Sequence, residues 1–217
     1  MAILEARRLK VNIINVVREY WEVVILKGLF ESIYGKFLVF KGGTALRLVY
    51  GSPRFSEDLD FSLLRDTLKK RFCPLVERII SPYPELSITD CVEKYYTYLA
   101  EIRVSINYLS TPFRIKIEIS KRIQRGYKWE LKLLSSPSVN LQALVQVATL
   151  RQLYKDKLIC AKERLKSKDI FDLWYLSQRL NLPYNPKEVL LPKTILRRDL
   201  RKYLPKGFWR VIERLKE

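Results

Sequence analysis

The order of patterns along the 217 residues predicts an α+β fold with a helical C-terminal lobe. Three observations carry that expectation. Residues 3–34 space their apolar side chains near 3.6, residues 37–120 mix short strand-like runs with helical ones, and the remainder from Leu141 reads helical.

Ile3, Leu4, Ile13, Ile14, Val17, Val24, Ile25, Leu29 and Phe30 recur at helical spacing, and two helices are expected there. FLVFK, 37–41, is a short apolar run of strand type that stops at Gly42. TALRLVYG, 44–51, reads as one or two helical turns ending at Gly51. SEDLDFSLL, 56–64, alternates as a strand, and residues 66–80 return to helical spacing. From about 87 to 120, β-branched and aromatic residues alternate with polar ones, which predicts two or three antiparallel strands. SSPSVN, 135–140, is the expected linker, dividing a core (1–135) from a helical lobe (136–217). Pro183, Pro186, Pro192 and Pro205 interrupt the helical tail.

Composition narrows the chemistry. There is no histidine, which removes Ser-His-Asp and Cys-His catalysis and leaves carboxylates as the hard-metal ligands. Cys73, Cys91 and Cys160 are odd in number and lie far apart with no CxxC; they read as unpaired thiols of a reducing compartment. The amino terminus carries charges through its apolar stretches, and no uncharged apolar run reaches about 18 residues, so a cytoplasmic protein without a membrane is expected. A net charge of +18 and a pI near 9.9 attract polyanions, with nucleic acid the leading partner.

One stretch, KGGTALRLVYGSPRFSEDLDFSL at 41–63, concentrates the chemistry. In a strand, residues two apart share a face, so Asp58 and Asp60 aim at one target. Mg²⁺ (or Mn²⁺) suits such a pair, because it accepts one or two carboxylates alongside substrate phosphates. Gly42 and Gly43 follow a strand and precede a helix, where bare backbone N–H groups face a phosphate, although the GxxxxGK[ST] pattern is absent.

KGGTALRLVYGSPRFSEDLDF resembles the signature of the AbiEii/AbiGii-type nucleotidyltransferases, within the DNA polymerase β-like superfamily. LYKDKLICAKERLKSKDIFDLWYL, 153–176, resembles the helical motif of that family, with Lys168 where arginine is more usual. The resemblance implies a mixed sheet flanked by helices. It also implies a third acid facing the pair, which Glu118 in FRIKIEIS matches, and Mg²⁺ held by Asp58, Asp60 and Glu118. It carries Lys157 over as a triphosphate contact, and Asp169 as a residue near the nucleotide or orienting Lys157. Gly42, Gly43, Thr44 and Ser56 would complete the NTP contacts; Arg54 approaches phosphate or braces the loop, and Asp172 reads as structural.

The expected reaction is transfer of a nucleoside monophosphate from an NTP to an acceptor hydroxyl, with a tRNA 3′ end as first choice. Two basic sets with interleaved aromatics suit such RNA: Lys116–Lys132, and Lys193–Arg214 with Tyr203, Phe208 and Trp209. The resemblance implies a toxin of a toxin–antitoxin system with a cognate antitoxin. Nucleotidylation of a protein, and non-catalytic nucleic-acid binding on the same fold, remain the alternatives.

Overall fold

A computed structural model describes residues 2–136, 138–164, 166–185 and 191–216. Its elements are α1 (Ala2–Leu9), α2 (Ile13–Glu31), β1 (Leu38–Lys41), α3 (Gly42–Leu48), β2 (Asp58–Leu63), α4 (Phe72–Ile80), β3 (Leu86–Glu93), β4 (Thr97–Val104), β5 (Phe113–Ser120), β6 (Trp129–Ser136) and β7 (Val139–Ala148). Four helices follow: α5 (Leu150–Glu163), α6 (Ser167–Leu180), α7 (Lys193–Leu200) and α8 (Trp209–Arg214). Pro186, expected to break the helical tail, lies outside the described residues.

Seven strands form one mixed sheet in the order β3-β4-β5-β2-β1-β7-β6. β2 runs parallel to β5 and antiparallel to β1, and β1 runs parallel to β7. The central strands are apolar on the packed face: Leu59 and Phe61 of β2, and Ile115, Ile117 and Ile119 of β5, are fully buried. Their alternate residues, Asp58, Asp60, Lys116 and Glu118, stand on the opposite face, as a period of two requires. Asn12 caps α2 through a side-chain bond from the Ile14 N–H, and α2 packs on β7 and beside α4. The helices α5 to α8 pack in series, each against the next.

The expected lead-in helices, the strand before Gly42, the DxD strand and the three antiparallel strands are all present, and the α+β architecture with a helical C-terminal region is as expected. Two expectations are corrected. SSPSVN is no linker: residues 135 and 136 end β6, residues 139 and 140 begin β7, and residues 139–148 form a strand instead of a helix, so the sheet extends past the expected boundary at 135/136. The reason lies in the spacing. Leu141, Leu144, Val145 and Ala148 fall at i, i+3, i+4 and i+7, which mimics a helix, while pairing with β1 on one side and β6 on the other fixes the strand. Cys73 and Cys91 are joined in a disulfide, and Cys160 alone is free. Contact between α4 and β3 brings their Cα atoms to 5.9 Å, within bridging range, which sequence separation gave no means to see. No helix among the described residues is long and apolar enough to cross a membrane.

Candidate active site

A cleft of about 330 Å³ opens between the polar face of the central strands and the helices α5 and α6. Gly42, Gly43, Asp58, Asp60, Glu118 and Lys157 line it, with Arg54 and Ser56 at its wall. Residues far apart in sequence therefore meet: Asp60 pairs in register with Lys41 on one side and with Glu118 on the other.

The glycines are required by geometry. Gly42 has φ +80°, and a Cβ there would collide with the Asp60 carboxylate. A Cβ on Gly43 would run into the Arg54 guanidinium and approach Ser56 Oγ to 2.8 Å. The turn thus presses directly on the acid strand. Thr44 ties them together, since its buried hydroxyl donates to the Asp58 carbonyl at 2.5 Å. That bond occupies the Thr44 side chain; Thr44 is wholly buried and, unlike Gly42 and Gly43, does not line the cleft.

Beneath the turn lies a buried charge network. Arg54 donates twice to Asp172, both bonds at 2.8 Å, and once to the Phe55 carbonyl at 2.9 Å. Lys157 Nζ lies 2.9 Å from Asp169 Oδ1 and 2.7 Å from Asp172 Oδ2. Asp169 and Asp172 are wholly buried, and Arg54 nearly so. Burial opposes the Lys157 charge, but Asp172 and then Asp169 outweigh it and hold the ammonium above its ordinary value. For Asp172, burial pulls the carboxyl up, while Arg54 and then Lys157 bring it below the usual range. Two carboxylates face the Lys157 ammonium, which also lines the cleft. Arg54 consequently braces the loop, and its guanidinium joins the Gly43 turn to α6.

The acid pair itself has the electrostatics of a cation site. Burial, and next the Asp58 charge, push the Asp60 carboxyl up. Lys168 approaches Asp58 to 3.8 Å; burial draws its own ammonium down. Lys116 bonds Glu118 at 3.0 Å and reaches Asp58 only at 4.0 Å. Among the described residues no three acid or thiol groups converge as a ready metal cage. Two carboxylates on one face, completed by phosphate oxygens, match what Mg²⁺ accepts. Glu118 stands opposite Asp60 in register, but its carboxylate is engaged by Lys116.

The sequence reading missed that pairing, although alternation already put Lys116 and Glu118 on one face. It also missed that Arg164 flanks the same cleft, 3.4 Å from Asp169 Oδ2.

No curated protein sequence is significantly similar to this chain. The fold is shared with solved structures. A Helicobacter pylori protein, JHP933, superposes with a TM-score of 0.66 at 21% identity, over 95% of this chain and 90% of that one. MenT4, a nucleotidyltransferase toxin from Mycobacterium tuberculosis, superposes with a TM-score of 0.60 at 18% identity, over 91% of this chain and 68% of that one. Identities this low establish the fold alone. Residues 24–211, which include the turn, the acid pair and the helical charge network, match the family model described as nucleotidyl transferase AbiEii toxin of type IV toxin–antitoxin systems, and the chain belongs to that family.

Proposed function

We propose that this protein transfers a nucleoside monophosphate from an NTP to an acceptor hydroxyl, with a tRNA 3′ end as the acceptor, as the toxin of a toxin–antitoxin pair. The observation that carries the proposal is the meeting of a glycine turn, two same-face carboxylates and a buried lysine in one cleft.

The residues take distinct parts. Backbone N–H groups of Gly42 and Gly43 cradle the β and γ phosphates, with Ser56 beside them, and the Lys157 ammonium reaches the same oxygens. Asp169 and Asp172 keep that lysine charged and aimed. Asp58 and Asp60 would hold Mg²⁺ (or Mn²⁺), and the chemistry it would supply is charge neutralisation at the α-phosphate and a lowered pKa for the attacking hydroxyl. Glu118 serves as third arm or proton acceptor once a ligand displaces Lys116 from it. Positioning and neutralisation then carry the rate, with no covalent enzyme intermediate required.

Binding provides the first test. Mg²⁺–NTP at about 100 times its Kd should stabilise the wild type by about 2.7 kcal/mol, read as a rise in Tm. The Asp58→Asn, Asp60→Asn double variant should show no rise. A wild type that Mg²⁺–NTP leaves unshifted at saturating concentrations would support the non-catalytic alternative.

A further inference from the structure

A second depression of about 350 Å³ adjoins the cleft, between the start of α6 and α7. Lys166 and Lys168 line both, so the two adjoin across these side chains. The outer part is walled by Leu191, Ile195 and Tyr203, with Lys202 at its rim and Asp199 as its acid. Arg198 and Ser167 bond the Asp199 carboxylate. Three lysines against one engaged acid leave the depression cationic.

Its wall is anchored to the catalytic loop. The Tyr203 hydroxyl donates to Glu57 at 2.7 Å, and its carbonyl accepts from the Phe55 N–H at 2.9 Å. Asn15 donates to the Lys202 carbonyl at 2.8 Å. The aromatic face and the rim lysine are therefore tied to the segment that leads into the acid pair, with Glu57 immediately before Asp58.

We propose that this depression is a subsite for the terminal nucleotides of a single-stranded RNA acceptor, bases against Tyr203 and Ile195 and phosphodiesters beside Lys166 and Lys202. The inference rests on the nucleotidyl-transfer reading of the adjoining cleft. An NTP donor has its phosphates at the glycine turn and Lys157, and beyond them offers only a neutral sugar and base. Lysines flanking an apolar, aromatic wall answer a ligand that repeats phosphate and base, which is a polynucleotide strand.

The test uses a fluorescent single-stranded oligoribonucleotide, with its Kd measured over a salt series for wild type, Lys202→Gln and Tyr203→Leu. The exposed Lys202 side chain can be changed without touching the core, so Lys202→Gln carries the test even if Tyr203→Leu folds poorly. Lys202→Gln should weaken RNA binding and reduce the salt slope by about 0.7, one phosphate contact on a single strand. Tyr203→Leu should weaken it by about 5- to 150-fold, the equivalent of one stacked base. Mg²⁺–NTP affinity should be unchanged in Lys202→Gln. Lowered NTP affinity with unchanged RNA affinity would overturn the subsite and mark the depression as the donor's base pocket. RNA affinity and slope unaltered in Lys202→Gln, with transfer intact, would overturn the subsite alone. Absent transfer with RNA binding still dependent on Lys202 would overturn the catalytic reading and leave the groove standing as an RNA site.

Discussion

Replacing Asp172 with asparagine removes one charge from the buried network while preserving volume, so the result reports electrostatics and not a cavity. Asp172 is wholly buried and faces two cations, Arg54 through two bonds of 2.8 Å and Lys157 at 2.7 Å. Breaking a buried ion pair from one side costs about 3–5 kcal/mol, because the partner is left charged without water. That is a large share of a total stability of roughly 5–15 kcal/mol. For a chain of this length each kcal/mol moves Tm by about 2–4 °C, so a fall of roughly 6–20 °C is expected. Urea unfolding is the assay of choice, read as a lower midpoint with an unchanged slope. Arg54→Met combined with Asp172→Asn should recover part of the loss, since the stranded guanidinium is then gone. The pH dependence has a definite sign. Asp172 sits below its ordinary value of 3.8 when folded, so its contribution is present above that value and is lost as pH falls through the depressed one. An Asp172→Asn protein within about 1 kcal/mol of wild type, at equal slope, would refute the view that this network locks the turn to α6.

Other perturbations follow the same reasoning. Glu22 is buried with an oxygen that has no hydrogen-bond partner, and burial holds its carboxyl well above 4.5, only partly offset by Arg18. The folded protein therefore loses stability as pH rises from 4.5 through the raised value, and Glu22→Gln should raise Tm at pH 7 more than at pH 4.5. Gly43→Ala drives a methyl into the Arg54 guanidinium; a loss of about 1–3 kcal/mol and of Mg²⁺–NTP stabilisation should be seen by thermal shift. Reduction of Cys73–Cys91 releases a loop closed over 18 residues and should lower the unfolding free energy by about 3 kcal/mol, measured with and without dithiothreitol in urea.

Much of this architecture was legible because local pattern and burial agree. Asp58 and Asp60 alternate with Leu59 and Phe61, and Lys116 and Glu118 alternate with fully buried isoleucines, so the face each occupies could be read from the sequence, whereas the register that sets Asp60 opposite Glu118 could not. The glycine pair was legible as a turn, but its tightness against Asp60 and Arg54 depends on side chains from other segments. The β6–β7 hairpin was not legible. Apolar and polar residues do alternate in WELKL and VNLQA, but Leu131, Leu133 and Leu144 are exposed, and the helix-like spacing of Leu141, Leu144, Val145 and Ala148 competes with that alternation. Arg54 and Asp172 are 118 residues apart, and nothing local says that a loop arginine will be buried on a helix of the C-terminal region. The disulfide was hidden for the same reason, since only the packing of α4 against β3 brings its cysteines together.

The most direct measurement follows the phosphorus. Purified protein, Mg²⁺ and total tRNA are incubated with each NTP labelled in turn at the α or the γ phosphate, beside the Asp58→Asn, Asp60→Asn variant. Nucleotidyl transfer predicts α label in the RNA, γ label only in released pyrophosphate, and neither in RNA with the variant. No α label in RNA or in any protein, under conditions where Mg²⁺–NTP is shown to bind, would contradict the account.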